Sequence, residues 1–254
     1  MRTRFPAVVV ALLLLTAGCS ALTDDRPPSD ERAVDATAKA ASALDPVSTY
    51  RFALDGTVRA SDGDRTRTVD VDGEGVVDTR QRKMASNATV DGRTRRQYLD
   101  GYTTYAECAE PWDGWSVENA SNSTEWTKLT PLGRQVEILQ RSNVYWEGNR
   151  TVDGNRTAVV VAHPSKRTLT SLPSVGRTAT DLSEADVDNA TLRMWIDAET
   201  GRPVKSELDV SLSTGGASGE LEATTRYYGY GEPANVTIPS SARTDRYEIG
   251  CPGE

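Results

Sequence analysis

The chain has 254 residues and a formal net charge of −8, with 29 Lys and Arg against 37 Asp and Glu; 37% of residues are hydrophobic. The acidic balance argues against nucleic acid or anionic lipid headgroups as partners, since both need a basic face. Only five of the basic residues are Lys, and an acidic, Lys-poor surface suits a salt-rich medium in which self-repulsion is screened.

Residues 1–18 read as a secretory signal peptide. Arg2 and Arg4 give a positive start, Ala7 to Leu15 form a short apolar run, and small residues follow. The run is too short for a membrane span, which needs about 20 apolar residues. The leader closes on Leu15-Thr16-Ala17-Gly18-Cys19. That ending resembles the bacterial and archaeal lipobox, in which the cysteine sulfur takes a lipid and the chain is cut just before it. An ordinary leader cut after Ala17 or Gly18 would leave Cys19 incidental. The lipobox reading makes Cys19 the first mature residue and anchors the protein on the outer face of the cell membrane, because a two-chain lipid holds stably. Residues 19–29 are polar and Pro-containing, a tether. Residues 30–254 read as one domain.

Export bears on two residue types. Seven of the eight asparagines open an Asn-x-Ser/Thr triplet without Pro: Asn87, Asn119, Asn122, Asn149, Asn155, Asn189 and Asn235. These are acceptor sites for N-glycans on exposed segments. With Cys19 assigned to the lipid, Cys108 and Cys251 remain as an even pair and predict one disulfide tying the C-terminal tail to the middle of the domain. Two unpaired thiols are the alternative, but nothing around Cys108 is basic enough to favour a reactive thiolate.

A helix is predicted over Asp30 to Leu44. Ser29 is its expected cap, Asp30 and Glu31 favour its positive end, and Pro46 stops it. Val34, Ala38, Ala41 and Leu44 make a thin apolar stripe. The period then switches to two. Tyr50, Phe52 and Leu54 alternate with Arg51, Ala53 and Asp55, and Val69 and Val71 with Asp70 and Asp72. Met84, Ala88 and Val90 lead to the turn Asp91-Gly92, and Gln97-Tyr98-Leu99 to Asp100-Gly101. Such alternation predicts antiparallel strands with one wet face, running on to Cys108.

Trp112, Trp115 and Trp126 lie close together among polar residues. They read either as packing near the disulfide or as the rim of a ligand opening. A second helix follows, capped by Thr130 with Pro131 in its first position and Leu132, Val136 and Leu139 on one face. Strands resume at Tyr145-Trp146 and at Arg156 to His163. Residues 164–188 lack strong periodicity and read as a mobile loop or a cover, with Leu169, Leu172, Val175 and Leu182 scattered along them. Three last strands are predicted: Thr191 to Asp197, Pro203 to Ser213 and Glu220 to Tyr230.

No chemistry-bearing constellation emerges. The single histidine, His163, ends a strand, and the sequence singles out no Ser and Asp to complete a triad with it. One His and two bridged Cys cannot supply a zinc site. Asp70-x-Asp72-Gly73-Glu74 starts like a calcium loop but does not continue as one. The expectation is a non-enzyme without metal or cofactor.

The order helix, meander, helix, meander is similar to the LolA/LppX-like lipoprotein carriers over roughly residues 30 to 240. Tyr98-Leu-Asp-Gly-Tyr-Thr-Thr-Tyr105 resembles that family's strand-turn-strand, and Met194-Trp-Ile-Asp-Ala-Glu-Thr-Gly-Arg-Pro-Val-Lys205 its late hairpin. Tyr227-Tyr-Gly-Tyr-Gly-Glu-Pro-Ala-Asn-Val-Thr-Ile-Pro239 resembles its last strand and exit. With the acidity and sequons, the leader looks like that of a haloarchaeal surface lipoprotein. The resemblance implies an α+β fold, a large curved antiparallel sheet forming an incomplete barrel with helices on its concave face, around an apolar cavity that holds acyl chains. The chain departs from the family in its low apolar content and its two Phe.

If the sheet curls around the helix of residues 130 to 142, Phe52, Leu54, Val69, Val71, Tyr98, Tyr105 and Trp195 are expected to face Leu132, Val136 and Leu139 across a ligand-sized gap. The expected activity is binding or carrying a lipid-like ligand by a monomer. The alternative is a non-catalytic surface module docking an envelope or transporter partner.

Overall fold

The computed structural model describes residues 27–172, 185–248 and 250–252. Cys19, most of the tether, Val175 and Leu182 lie outside them. The first helix, α1 (Glu31–Leu44), is capped by Asp30, whose side chain accepts from Arg32 N at 2.9 Å. Ser29 was the expected cap. Its hydroxyl is instead taken up by Val144 N at 3.1 Å, while Tyr145 OH donates to Pro27 O at 2.7 Å. The last tether residues are therefore docked on the fold.

The buried face of α1 is Ala33, Thr37 and Ala40, one residue out of phase with the predicted stripe; Val34 is 46% exposed. The helix lies against α2 (Pro131–Gln140), β7 (Val144–Val152) and β8 (Asn155–Ala162). Small residues let the backbones approach closely there. Hydrophobicity alone favoured the valine, and close packing favoured the alanines.

The first four strands form two hairpins: β1 (Thr49–Asp62) with β2 (Arg65–Asp78), and β3 (Lys83–Val90) with β4 (Arg93–Asp100). The β1–β2 register is unbroken from Thr49 opposite Asp78 to Asp62 opposite Arg65, which puts Asp70-x-Asp72-Gly73 mid-strand. Next come β5 (Thr103–Glu107) and β6 (Trp115–Asn119), a one-turn 3-10 helix (Trp126–Leu129), then α2, β7 and β8. Strand β6 was not legible in the sequence, because its five residues sit among turn formers and sequons. In α2, Thr130 Oγ1 accepts from Gly133 N and Pro131 takes the first position, as its sequence predicts. A short helix, α3 (Lys166–Thr170), brings Leu169 and Leu172 into the core. The chain closes with β9 (Asp186–Asp197), β10 (Pro203–Thr214), β11 (Ala217–Tyr228), the turn of helix α4 (Ser241–Thr244) and β12 (Arg246–Tyr247).

The twelve strands among the described residues form one sheet in the order β12-β6-β5-β4-β3-β2-β1-β11-β10-β9-β8-β7. Its ends do not pair, so it is an incomplete barrel, and every pairing is antiparallel except β12 with β6. Helices α1 and α2 pack on the inner face. Leu132, Val136 and Leu139 meet Phe52, Val77, Met84, Leu99, Leu192, Met194 and Ile196 in the main core. Each such side chain contributes about 1.5–3 kcal/mol by burial.

The outer face is not uniformly wet. The segment after β11 crosses it, and Val236, Ile238 and Ala242 form a second core with Tyr105, Trp115 and Val117. Cys108 and Cys251 are disulfide-bonded, with Cα atoms 5.4 Å apart and 143 residues between them in sequence. In the chain-entropy model, closing so long a loop stabilises by about 5 kcal/mol.

Candidate ligand-binding trough

The strand registers define rows of inner-face side chains running across the sheet. At one end the row Tyr50–Val77–Met84–Leu99–Thr104 is covered by α2 and the 3-10 helix. Trp126 Nε1 donates to Gly101 O at 2.6 Å there, closing that end. Tyr227, opposite Phe52, donates its hydroxyl to Gln135 Oε1 at 2.8 Å and pins α2 to the sheet. Burial pushes the Tyr227 hydroxyl well above the ordinary tyrosine range.

Away from the helices the rows change character. Leu54, Val69 and Val71 are half-buried, as are Leu208, Leu212 and Leu221, while Val58 is 38% and Val90 44% exposed. Their registers join them: Val58 lies opposite Val69 and Leu221, Leu221 opposite Val210, and Val71 opposite Val90. This is a continuous apolar surface only partly covered. Glycines keep it low. A Cβ on Gly75 would stand 2.5 Å from the Phe52 ring, and one on Gly73 would touch Leu54, so both side chains lie flat across β2. Beyond β2 the inner face widens into a cleft of about 730 Å³, with Ser86, Ala88, Gln97, Ala106 and Ser116 among its lining.

The structure sorts the predicted ligand residues into three groups. Phe52, Leu132, Val136 and Leu139 lie in the packed core. Leu54, Val69 and Val71 line the half-covered surface. Tyr98, Tyr105 and Trp195 were expected to point inward and do not. Leu99 is fully buried on the inner face, so strand alternation turns Tyr98 outward, and its register partner Tyr105 with it. Both join the second core. Met194 and Ile196 face inward, which sends Trp195 out beneath the Lys205 ammonium, 4.5 Å from its ring. Assuming a wet outer face made these three strand aromatics look like inner ones.

The tryptophans are also separated. Trp112 is 46% exposed, Trp115 belongs to the outer core and Trp126 to the inner one, so they form neither a single packing cluster nor a rim. Asn119, Asn122, Asn149, Asn155, Asn189 and Asn235 are exposed and Asn87 is half-buried, its amide against Glu74 on the outer face. His163 Nδ1 lies 3.2 Å from Thr191 Oγ1. Among the described residues no three His, Cys, Asp or Glu are grouped to hold a metal, and no helix is long and apolar enough to cross a membrane.

Ion pairs fill the outer face beside Trp195. Arg193 bridges Glu147 (2.7 Å) and Glu207 (3.3 Å), and its hydrogen bond holds the Glu147 carboxyl below the usual carboxylate range. The inner surface residues that sequence reasoning missed are Leu208, Leu212 and Leu221. Their alternation with Asp209, Ser211 and Glu220 carried the signal.

No protein-family model and no curated protein matches the chain. Among solved structures, it is similar to the lipoprotein LppX of Mycobacterium tuberculosis, at 16% identity and a TM-score of 0.48, over 82% of this chain and 100% of that one. LprF of Mycobacterium bovis gives 12% identity and 0.48 over 84% and 99%. A LolA superfamily protein of Nitrosomonas europaea gives 11% and 0.27 over 82% and 95%. Likenesses at this level carry no argument about ligand or activity, which rest on the chain's own residues.

Proposed function

We propose that this protein is an exported, lipid-anchored binder of an apolar, lipid-like ligand, which lies in the inner trough beyond α2. The observation that carries the reading is the half-covered apolar surface of Leu54, Val58, Val69, Val71 and Leu221, continuous with a cleft of ligand size. Apolar surface left open inside a curved sheet favours an apolar occupant, each buried CH₂ adding about 0.8 kcal/mol. Anchoring through Cys19 fits this use. Few residues separate Cys19 from the docked Pro27, at most roughly 28 Å of extended chain, so the domain is held against the bilayer from which such a ligand would come.

Three measurements test the reading. Intact mass of membrane-extracted protein is expected to show cleavage before Cys19 plus a lipid adduct, and Cys19→Ser to release the protein; an unmodified, soluble wild type rejects the anchor. Native mass spectrometry of protein from its own membranes is expected to retain a lipid. Leu221→Asn, at a half-buried trough position, is expected to weaken binding of a fluorescent acyl probe several-fold. If no lipid copurifies and the probe binds no better than to an equally acidic control protein, a docking module replaces the binder.

A further inference from the structure

We infer that the trough selects an anionic amphiphile, holding a phosphate- or sulfate-like head on Arg67, Arg93 and Arg95 while the tail lies on the apolar rows beside them. This rests on the apolar-ligand reading and adds the head to it. Net charge alone argued against such a head, but charge is not evenly spread over the two faces.

On β2, alternation turns Arg65 and Arg67 inward with Val69 and Val71, and turns Asp70, Asp72 and Glu74 outward. On β4 it turns Arg93 and Arg95 inward with Leu99. The inner face of these strands therefore carries cations in a protein of net charge −8. Three of these arginines line the cleft of about 730 Å³, with Ser86, Gln97 and Ser116 as neutral hydrogen-bonding groups; the acids on its lining are Asp91, which meets Arg67, and Glu107, which is paired with Arg96.

The register puts head and tail sites in contact. Gly56, Val71, Val90 and Arg93 form one row of direct partners, and Leu54, Gly73, Ala88 and Arg95 the next. An acyl chain on Leu54 and Val71 would reach the guanidinium groups within the width of two strands, about 10 Å. Guanidinium forks match phosphate and sulfate oxygens and tolerate partial desolvation better than ammonium. The Arg93 side chain makes no ion pair or hydrogen bond among the described residues, its backbone being paired with Val90, whereas Arg95 already has a partner that a head group would share or displace. Arg67 meets Asp91 at 2.9 Å, but both side chains are about two-thirds or more exposed, so that pair is weak and exchangeable.

The test compares three probes by calorimetry on the full mature chain: dodecyl phosphate, dodecanol and inorganic phosphate. Dodecyl phosphate is expected to bind about tenfold or more tightly than dodecanol at low salt, the advantage shrinking as salt rises. The pair Arg93→Gln and Arg95→Gln is expected to lose about tenfold for dodecyl phosphate and nothing for dodecanol. Arg93→Gln alone, at an exposed position, should lose part of it with the fold intact, and Arg59→Gln on the outer face should lose none. Equal binding of the two dodecyl probes, unchanged by the arginine variants, overturns the head site and leaves the apolar reading standing. Inorganic phosphate binding as tightly as dodecyl phosphate overturns the amphiphile. If neither dodecyl probe binds, the apolar-ligand reading itself falls.

Discussion

At the scale of single residues, the buried tyrosines separate two kinds of polar burial. Among the described residues the buried Tyr50 hydroxyl makes no well-aligned hydrogen bond, with Thr130 and the Leu132 backbone its nearest polar neighbours, whereas Tyr227 donates to Gln135 and its ring stands edge-on to Tyr50 at 6.3 Å. An unsatisfied buried hydroxyl costs free energy that a hydrogen-bonded one recovers. Tyr50→Phe should therefore be neutral or stabilising by up to about 1 kcal/mol, and Tyr227→Phe should cost about 1–2 kcal/mol by orphaning Gln135 Oε1; urea unfolding of both variants at one salt concentration checks the contrast. Burial raises the pKa of Tyr50, Tyr227 and Tyr230 above the ordinary value near 10. The folded state holds these protons when the unfolded chain releases them. Stability is thus full below about pH 10 and falls as pH rises past it. Phenolate absorbance from these three side chains should appear only with unfolding.

At the scale of elements, α1 shows what pattern reading resolves and what it does not. Its length, acidic start and stop at Pro46 were legible, because propensity and capping act locally. Its buried face was not, because a stripe of Ala and Thr has almost no hydrophobic signal. Ala40→Leu should cost about 1–3 kcal/mol by overpacking, while Val34→Ser, at an exposed site, should stay within about 0.5 kcal/mol; thermal melts of both decide which face is buried. The strands divide the same way. Hairpin turns and period-2 runs marked β1 to β5 and β7 to β11, and the resemblance implied the open barrel they form. What stayed hidden depends on the chain's far end. The segment around Val236 and Ile238 covers the outer face of β5 and β6, and nothing local to Tyr98 or Tyr105 announces that cover. The Leu54–Val69–Val71 part of the trough was legible from alternation. Its cationic side was equally written in Arg65-Thr-Arg67 and Arg93-Thr-Arg95, but net charge does not say which face of a strand a charge lies on.

At the scale of the whole molecule, that segregation of charge sets a condition on folding. The outer face of β1, β2, β10 and β11 places like charges in direct register: Asp55 opposite Asp72, and Asp209 opposite Glu222. Direct cross-strand pairs of like sign destabilise a sheet by about 0.2–1 kcal/mol each. Asp209 carries the mark of this, its pKa raised by burial first and then by Glu222 and Glu207. A carboxyl whose folded pKa lies above its unfolded value penalises folding once pH exceeds both, so at neutral pH the ionised Asp209 works against the fold. Salt relieves such repulsion, because the Debye length falls from about 10 Å at 0.1 M to about 3 Å at 1 M. Three statements follow for urea unfolding at neutral pH. Wild-type stability should rise as monovalent salt increases from 0.1 to 1 M (roughly one Debye length to a third of it). Asp209→Asn should stabilise by about 0.5 kcal/mol at the low end and by much less at the high end. The disulfide, which acts on chain entropy and not on charge, should contribute its share at both salts, so Cys108→Ala with Cys251→Ala should lower both curves in parallel. A wild type indifferent to salt, with Asp209→Asn no more stable at any concentration, would show that the acidic ladder is already neutralised by its neighbours and is no load on the sheet.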